Sequence, residues 1–214
     1  MASDHGPRIP KPEIVDYFSD KLREHGASPR GVDWNGDDAQ ALRFRQMARV
    51  IPAGRRSTVT DLGCGYGSFA EHLDAAGIDC HYLGVDASAE MVAAAQARLA
   101  GRPGTEIVQG SGCPRTTDYV LANGIFNVRL DVSDDAWFDY IVATLDDMHA
   151  HSGRAFAFNC LTVYSDADRM RPYLYYSDPC RLFDHCKRRY AKDVALWHDY
   201  GAYEFMIVVR KVVE

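Results

Sequence analysis

From about residue 58 onward the chain alternates short apolar runs of strand length with segments of helical periodicity. That alternation predicts a largely parallel sheet covered by helices on both faces, because a parallel return needs a crossover and a helix supplies it. The runs Thr58–Cys64, Cys80–Val85, Glu106–Gln109, Asp118–Phe126 and Arg154–Leu161 read as strands. Between them Ser68–Ala76, Ser88–Ala100 and Asp134–Ala150 read as helices. Ser88 is placed to cap the second of these, with Glu90 in its first turn. After a tyrosine-rich loop to Ser177, a helix over Pro179–Tyr190 precedes two strands, Val194–Asp199 and Tyr203–Val213, joined around Gly201. So short a connection makes that last pair an antiparallel hairpin at one edge. The expected fold is a doubly wound, mostly parallel seven-stranded sheet with an antiparallel C-terminal edge hairpin.

The first 54 residues have no place in that sheet. Apolar Ile14, Tyr17, Phe18 and Leu22 recur at helical spacing from Glu13 until Gly26, and a second helix spans about Asp38–Ile51. The proline-containing start, with Pro7, Pro10 and Pro12, is expected to be loose, and residues 27–37 to form a loop. The division is therefore 1–54 as a helical N-terminal segment and 55–214 as the main domain.

Open parallel sheets bind ligands at the carboxyl ends of their strands, where strand order reverses. Gly63, Gly65 and Gly67 sit just after the first strand and open a helix, so the backbone can turn sharply and approach a ligand closely. The next strand ends in Asp86, about 20 residues on, where an acid can accept ribose hydroxyls. Ser68 stands where a dinucleotide turn would have its third glycine, and Asp61 beside the turn would repel a pyrophosphate. The same carboxylate suits the ammonium of an amino-acid tail.

Asp61-Leu-Gly-Cys-Gly-Tyr-Gly67 resembles the first motif of class I S-adenosylmethionine (SAM)-dependent methyltransferases. Leu83-Gly-Val-Asp-Ala-Ser-Ala-Glu-Met91 is similar to their second-strand motif, and the likeness runs over about residues 57–161. The resemblance implies SAM as cofactor and S-adenosylhomocysteine (SAH) as product. It implies a methionine-binding turn of Asp61, Gly63, Cys64, Gly65 and Gly67, with Asp86 on the ribose and Ala87 and Met91 near the adenine. Many members carry an acid after the third strand. Here Gln109-Gly-Ser-Gly-Cys113 has none, which leaves Ser111, Gly112 and backbone groups for the adenine. The resemblance also implies that Asn123 and Gly124, after the fourth strand, join the cofactor set, and that residues 1–54 form a cap or lid, with Trp34, Gln40, Arg43 and Arg45 as candidate lid or acceptor residues.

Methyl transfer from a sulfonium is an in-line displacement, so holding nucleophile and methyl collinear is the protein's main task. A base is needed only where the nucleophile must shed a proton early. His198, Asn127 and Tyr176 are the candidate catalytic residues, with Asn159, Tyr164, Tyr173, Tyr175, Asp199, Tyr200 and Tyr203 as further acceptor-side candidates. Asn123-Gly-Ile-Phe-Asn127 lacks both prolines of the amino-methyltransferase signature of nucleic-acid enzymes. That and the formal net charge of -6 argue against a nucleic-acid partner. The expected acceptor is a small metabolite, methylated on oxygen or nitrogen. The alternatives left open are a larger acceptor (protein, glycan or RNA) and a SAM-binding protein without catalysis.

The composition, 47% hydrophobic and 25% charged, is that of an ordinary globular domain. No apolar run approaches the ~18 residues of a membrane helix, and the start has no signal-like apolar core. No membrane partner and a cytoplasmic location are expected, as monomer or homodimer. The six cysteines are scattered, with no C-x-x-C and no zinc-like spacing to histidine, so no metal is expected.

Overall fold

The computed structural model describes residues 12–212. Its sheet comprises β1 (Ser57–Leu62), β2 (Cys80–Asp86), β3 (Thr105–Gln109), β4 (Thr117–Ala122), β5 (Ser152–Leu161), β6 (Asp193–Trp197) and β7 (Glu204–Arg210), in the order β3-β2-β1-β4-β5-β7-β6. β7 pairs antiparallel with both β5 and β6, and every other pairing is parallel. Order reverses between β1 and β4, so the crevice that parallel sheets use for ligands opens above those two strand ends.

The helices are α1 (Pro12–His25), α2 (Asp37–Ala48), α3 (Ser68–Ala75), α4 (Ala89–Arg98), α5 (Asp134–His151) and α6 (Pro179–Arg189). Strand side chains alternate between two cores, as the period of two demands. Val120 and Ala122 of β4 face Trp137, Ile141 and Leu145 of α5 and Leu182 of α6. Tyr119 and Leu121 face Phe44 and Met47 of α2 and Phe69 and Leu73 of α3. Among the described residues no helix is long and apolar enough to cross a membrane.

Three local expectations are corrected. The fourth strand stops at Ala122 rather than Phe126, because Gly124 turns left-handed (φ 86°) and Phe126 is drawn into the core. There Trp137 Nε1 donates to the Phe126 carbonyl at 2.9 Å. Residues 27–37 contain a short 3-10 turn, Pro29–Val32, capped by Ser28. Pro12 opens α1, whereas Pro7 and Pro10 lie outside the described residues, as does Val213 beyond β7.

Candidate active site

The glycine turn is stitched to the neighbouring strand before any ligand is considered. The amides of Gly63 and Cys64 both donate to the Val85 carbonyl, at 2.7 and 3.0 Å. Gly65 N–H donates to Asp86 Oδ2 at 2.8 Å, and Ser88 N–H to Oδ1 at 2.9 Å. Turn and acid are thus one rigid unit, and each carboxylate oxygen keeps a further lone pair for a ligand. Gly63 (φ 77°) needs glycine twice over: the conformation is left-handed, and a Cβ there would sit 2.1 Å from Ile125 Cγ2. Gly67 (φ 81°) is likewise left-handed and also serves packing. A Cβ on it would lie 2.8 Å from Leu99 Cδ1 and 3.2 Å from Ala95 Cβ, where α3 meets α4.

A cleft open to solvent on one side, with about 130 Å³ of cavity volume, lies over this unit. Its floor is Asp61 to Tyr66, Asp86 to Ser88, Gly110, Ser111 and Asn123 to Ile125. Its roof comes from the N-terminal segment: Ile14, Val15 and Phe18 of α1, then Val32 and Trp34. Met91, Trp137 and Tyr140 close one side. The roof is fastened down. Ser19 Oγ lies 2.8 Å from Ser88 Oγ, the hydroxyl that caps α4, and Arg23 pairs with Glu90. Gln40 Nε2 donates to Tyr66 Oη at 2.8 Å.

The cleft's polar groups are few and burdened. Burial pushes the Asp61 carboxyl up to about 7, against a hydrogen bond from Tyr82 Oη that lowers it. Asp86 is also raised by burial, against lowering by the amides of Ser88, Gly65 and Ala87. Asn123 has both side-chain polar atoms buried, with no partner among the described residues. Buried amides are ordinarily paired, so these two atoms mark a place for a polar ligand.

The methyltransferase domain model matches residues 59–145. A Mycobacterium tuberculosis protein named as a methyltransferase, Rv1506c, is 53% identical over 163 residues, 76% of this chain and 98% of that protein. The chain belongs to the class I SAM-dependent methyltransferases. Trans-aconitate 2-methyltransferase of Rhodopseudomonas palustris (strain HaA2) is 33% identical over 107 residues, 44% of this chain, and the chain spans only 40% of that enzyme. In fold, magnesium protoporphyrin IX methyltransferase from Synechocystis PCC 6803, solved with bound SAH, aligns with a TM-score of 0.65 at 15% identity, over 94% of this chain and 100% of that one.

The cofactor of this methyltransferase is SAM, and the cleft fits it. The glycine cradle admits no side chain, Asp61 offers an acid to an ammonium, Asp86 offers free lone pairs, and Asn123 lacks partners. Of the expected cofactor residues, Asp61, Gly63, Cys64, Gly65, Asp86, Ala87, Met91, Ser111, Asn123 and Gly124 line the cleft, and Gly67 and Gly112 do not. The three expected catalytic residues are elsewhere. His198 is exposed after edge strand β6, its ring 6.0 Å from that of Tyr164. Asn127 is a buried clamp, accepting from Leu161 N–H at 3.1 Å. The Tyr176 hydroxyl accepts from Arg171 N–H within the tyrosine-rich loop.

Tyr140, Trp137, Phe18 and Val32 line the cleft but were not expected there. Trp137 and Phe18 were visible only as apolar positions of helices. Nothing in a helical period tells a core-facing residue from one at the rim of a cleft. Asn159 and Arg43 reach the site indirectly. Asn159 Oδ1 accepts from Gly124 N–H at 2.7 Å, its Nδ2 donates to Glu204 Oε2 at 2.7 Å, and Arg43 pairs with Glu204. Arg43 also lies over the Trp34 ring, 5.3 Å from its centroid.

Proposed function

We propose that this methyltransferase transfers the methyl group of SAM to an oxygen or nitrogen of a small metabolite. The observation that carries this reading is the roof: α1 and residues 32–34 turn the sheet's ligand crevice into a cleft closed over its glycine turn. A roofed site admits a small molecule more readily than a folded macromolecule. The segment through residue 54 then acts as cap and residues 55–214 as catalytic domain; residues 1–11 lie outside the described residues.

Bound SAM supplies an electrophilic methyl on a sulfonium. The chain's contribution is placement. In this reading Asp61 takes the ammonium of the methionine tail, Asp86 the ribose hydroxyls, and Ala87, Met91, Gly110 and Ser111 the adenine side. The Asn123 amide, with a donor and an acceptor both free, orients the tail or the acceptor beside it. Trp34 and Phe18 exclude water, and an aromatic face there favours a cation. Among the described residues no histidine lines the cleft. Collinear placement of nucleophile and methyl does most of the work. His198, Asn127 and Tyr176 have no part in this scheme.

The test is SAH release with SAM against a panel of small carboxylates, phenols and amines, alongside mixed protein, glycan and RNA substrates. At least one small molecule is expected to raise SAH release well above the acceptor-free rate. Turnover confined to the macromolecular arm would overturn the small-acceptor reading and leave the methyltransferase assignment standing.

A further inference from the structure

Outside the cleft the fold brings one side chain against two that lie more than thirty residues further along the chain. Cys113 is buried on the loop after β3, and Asp147 and His151 stand one turn apart on the last turns of α5. A separation of four residues places Asp147 and His151 on one helix face. One ligand-type atom from each of the three lies within 4.8 Å of the others. The Cys113 amide donates to Asp147 Oδ2 at 2.8 Å, and His151 Nδ1 lies 2.9 Å from Asp147 Oδ1. None of the three lines the cofactor cleft.

We propose that Cys113, Asp147 and His151 form a binding site for one zinc-class divalent cation, with solvent as the fourth ligand. A thiolate, a carboxylate and an imidazole are the donor types that zinc takes in tetrahedral geometry. Bonds of about 2.0–2.3 Å at the tetrahedral angle put ligand atoms roughly 3.3–3.6 Å apart. The trio's ligand atoms, within 4.8 Å of one another, approach that spacing. The thiolate and carboxylate together balance a dication, so the partly buried ion would carry no uncompensated charge. Binding forms a sulfur–metal bond and releases the thiol proton to solvent. The half-exposed imidazole of His151, 32% accessible, leaves the ion a way in. The ion would cross-link the end of α5 to the loop whose Gly110 and Ser111 line the cleft.

Cobalt(II) is the probe, added to the untagged full chain. The expected result is one cobalt per chain, with a thiolate-to-cobalt charge-transfer band and the intense visible bands of a tetrahedral site, both abolished by zinc. Cys113→Ser should remove the charge-transfer band. His151→Gln, at a half-exposed position that leaves the core intact, should weaken zinc at least about tenfold, the least that even outer partners of a metal site command. At equal zinc, the melting temperature of the parent protein should rise more than that of either variant. Absence of a charge-transfer band in the parent overturns the proposal. So does a band that survives in folded Cys113→Ser, or unchanged zinc affinity in His151→Gln.

Discussion

Glu204→Gln should destabilise the protein far more than a change of one atom suggests. Glu204 is buried at the start of β7, with Asn159 on one oxygen and Arg43 of α2 on the other. The Arg43 side chain is itself only 14% exposed. Removing one partner of such a pair strands a buried charge, at a cost of about 3–5 kcal/mol. The glutamine keeps one acceptor oxygen and so holds only one of the two donors, which offsets about 1 kcal/mol. The expected loss is therefore ~2–4 kcal/mol, or a melting temperature lower by about 4–16 °C for a chain of this size. Burial holds the Glu204 carboxyl above its ordinary range even beside Arg43, so the pair's attraction does not offset its desolvation. It follows that Arg43→Met combined with Glu204→Gln should lie within about 1 kcal/mol of the parent. Urea unfolding followed by tryptophan fluorescence measures all three variants. A coupling energy of at least ~2 kcal/mol is predicted. Additive single effects, each below about 1 kcal/mol, would refute the claim that a buried charge ties the cap to the sheet.

Two further outcomes concern the cleft. Asp61 is half ionised near pH 7 and protonated below it, because burial raises it to about 7. If it must be ionised to hold an ammonium, SAH affinity should fall as pH drops from 7 to 6, by about fivefold as the ionised fraction goes from a half to a tenth. Calorimetry at the two pH values tests this, and the same dependence in Asp61→Asn would reject Asp61 as its source. Gly63→Ala forces a left-handed alanine against Ile125, so stability should fall by at least about 1–3 kcal/mol of backbone strain, with SAH affinity lowered as well. An alanine variant with parental melting and binding would show that the turn does not need its glycine.

The strands, the glycine turn and Asp86 were legible because each rests on local chemistry: β-branched runs, left-handed glycines, and an acid at a strand end. Helix bounds came close for the same reason, as with Ser88 capping α4. The roof was half legible. Ile14 and Phe18 showed an apolar face, but only the fold shows that the face looks onto Asp86 and Ala87. The expected catalytic residues fared differently because residues after a strand can point to either side of it. Asn127 turns inward to clamp β5, and His198 follows a strand three places from β4, so its ring never nears the cleft. The Arg43–Glu204–Asn159 chain and the Cys113–Asp147–His151 cluster were invisible for one reason: each joins elements far apart in sequence.

The claim most open to direct test is that the glycine turn and Asp86 form one nucleoside-binding unit for SAM. Calorimetric titration of SAH, SAM and NAD into the parent protein and Asp86→Ala decides it. The account predicts SAM and SAH binding without NAD binding, and an SAH affinity in Asp86→Ala lowered by ~1–3 kcal/mol, about 5- to 150-fold. NAD binding with no response to SAM or SAH, or unchanged SAH affinity in folded Asp86→Ala, would contradict it.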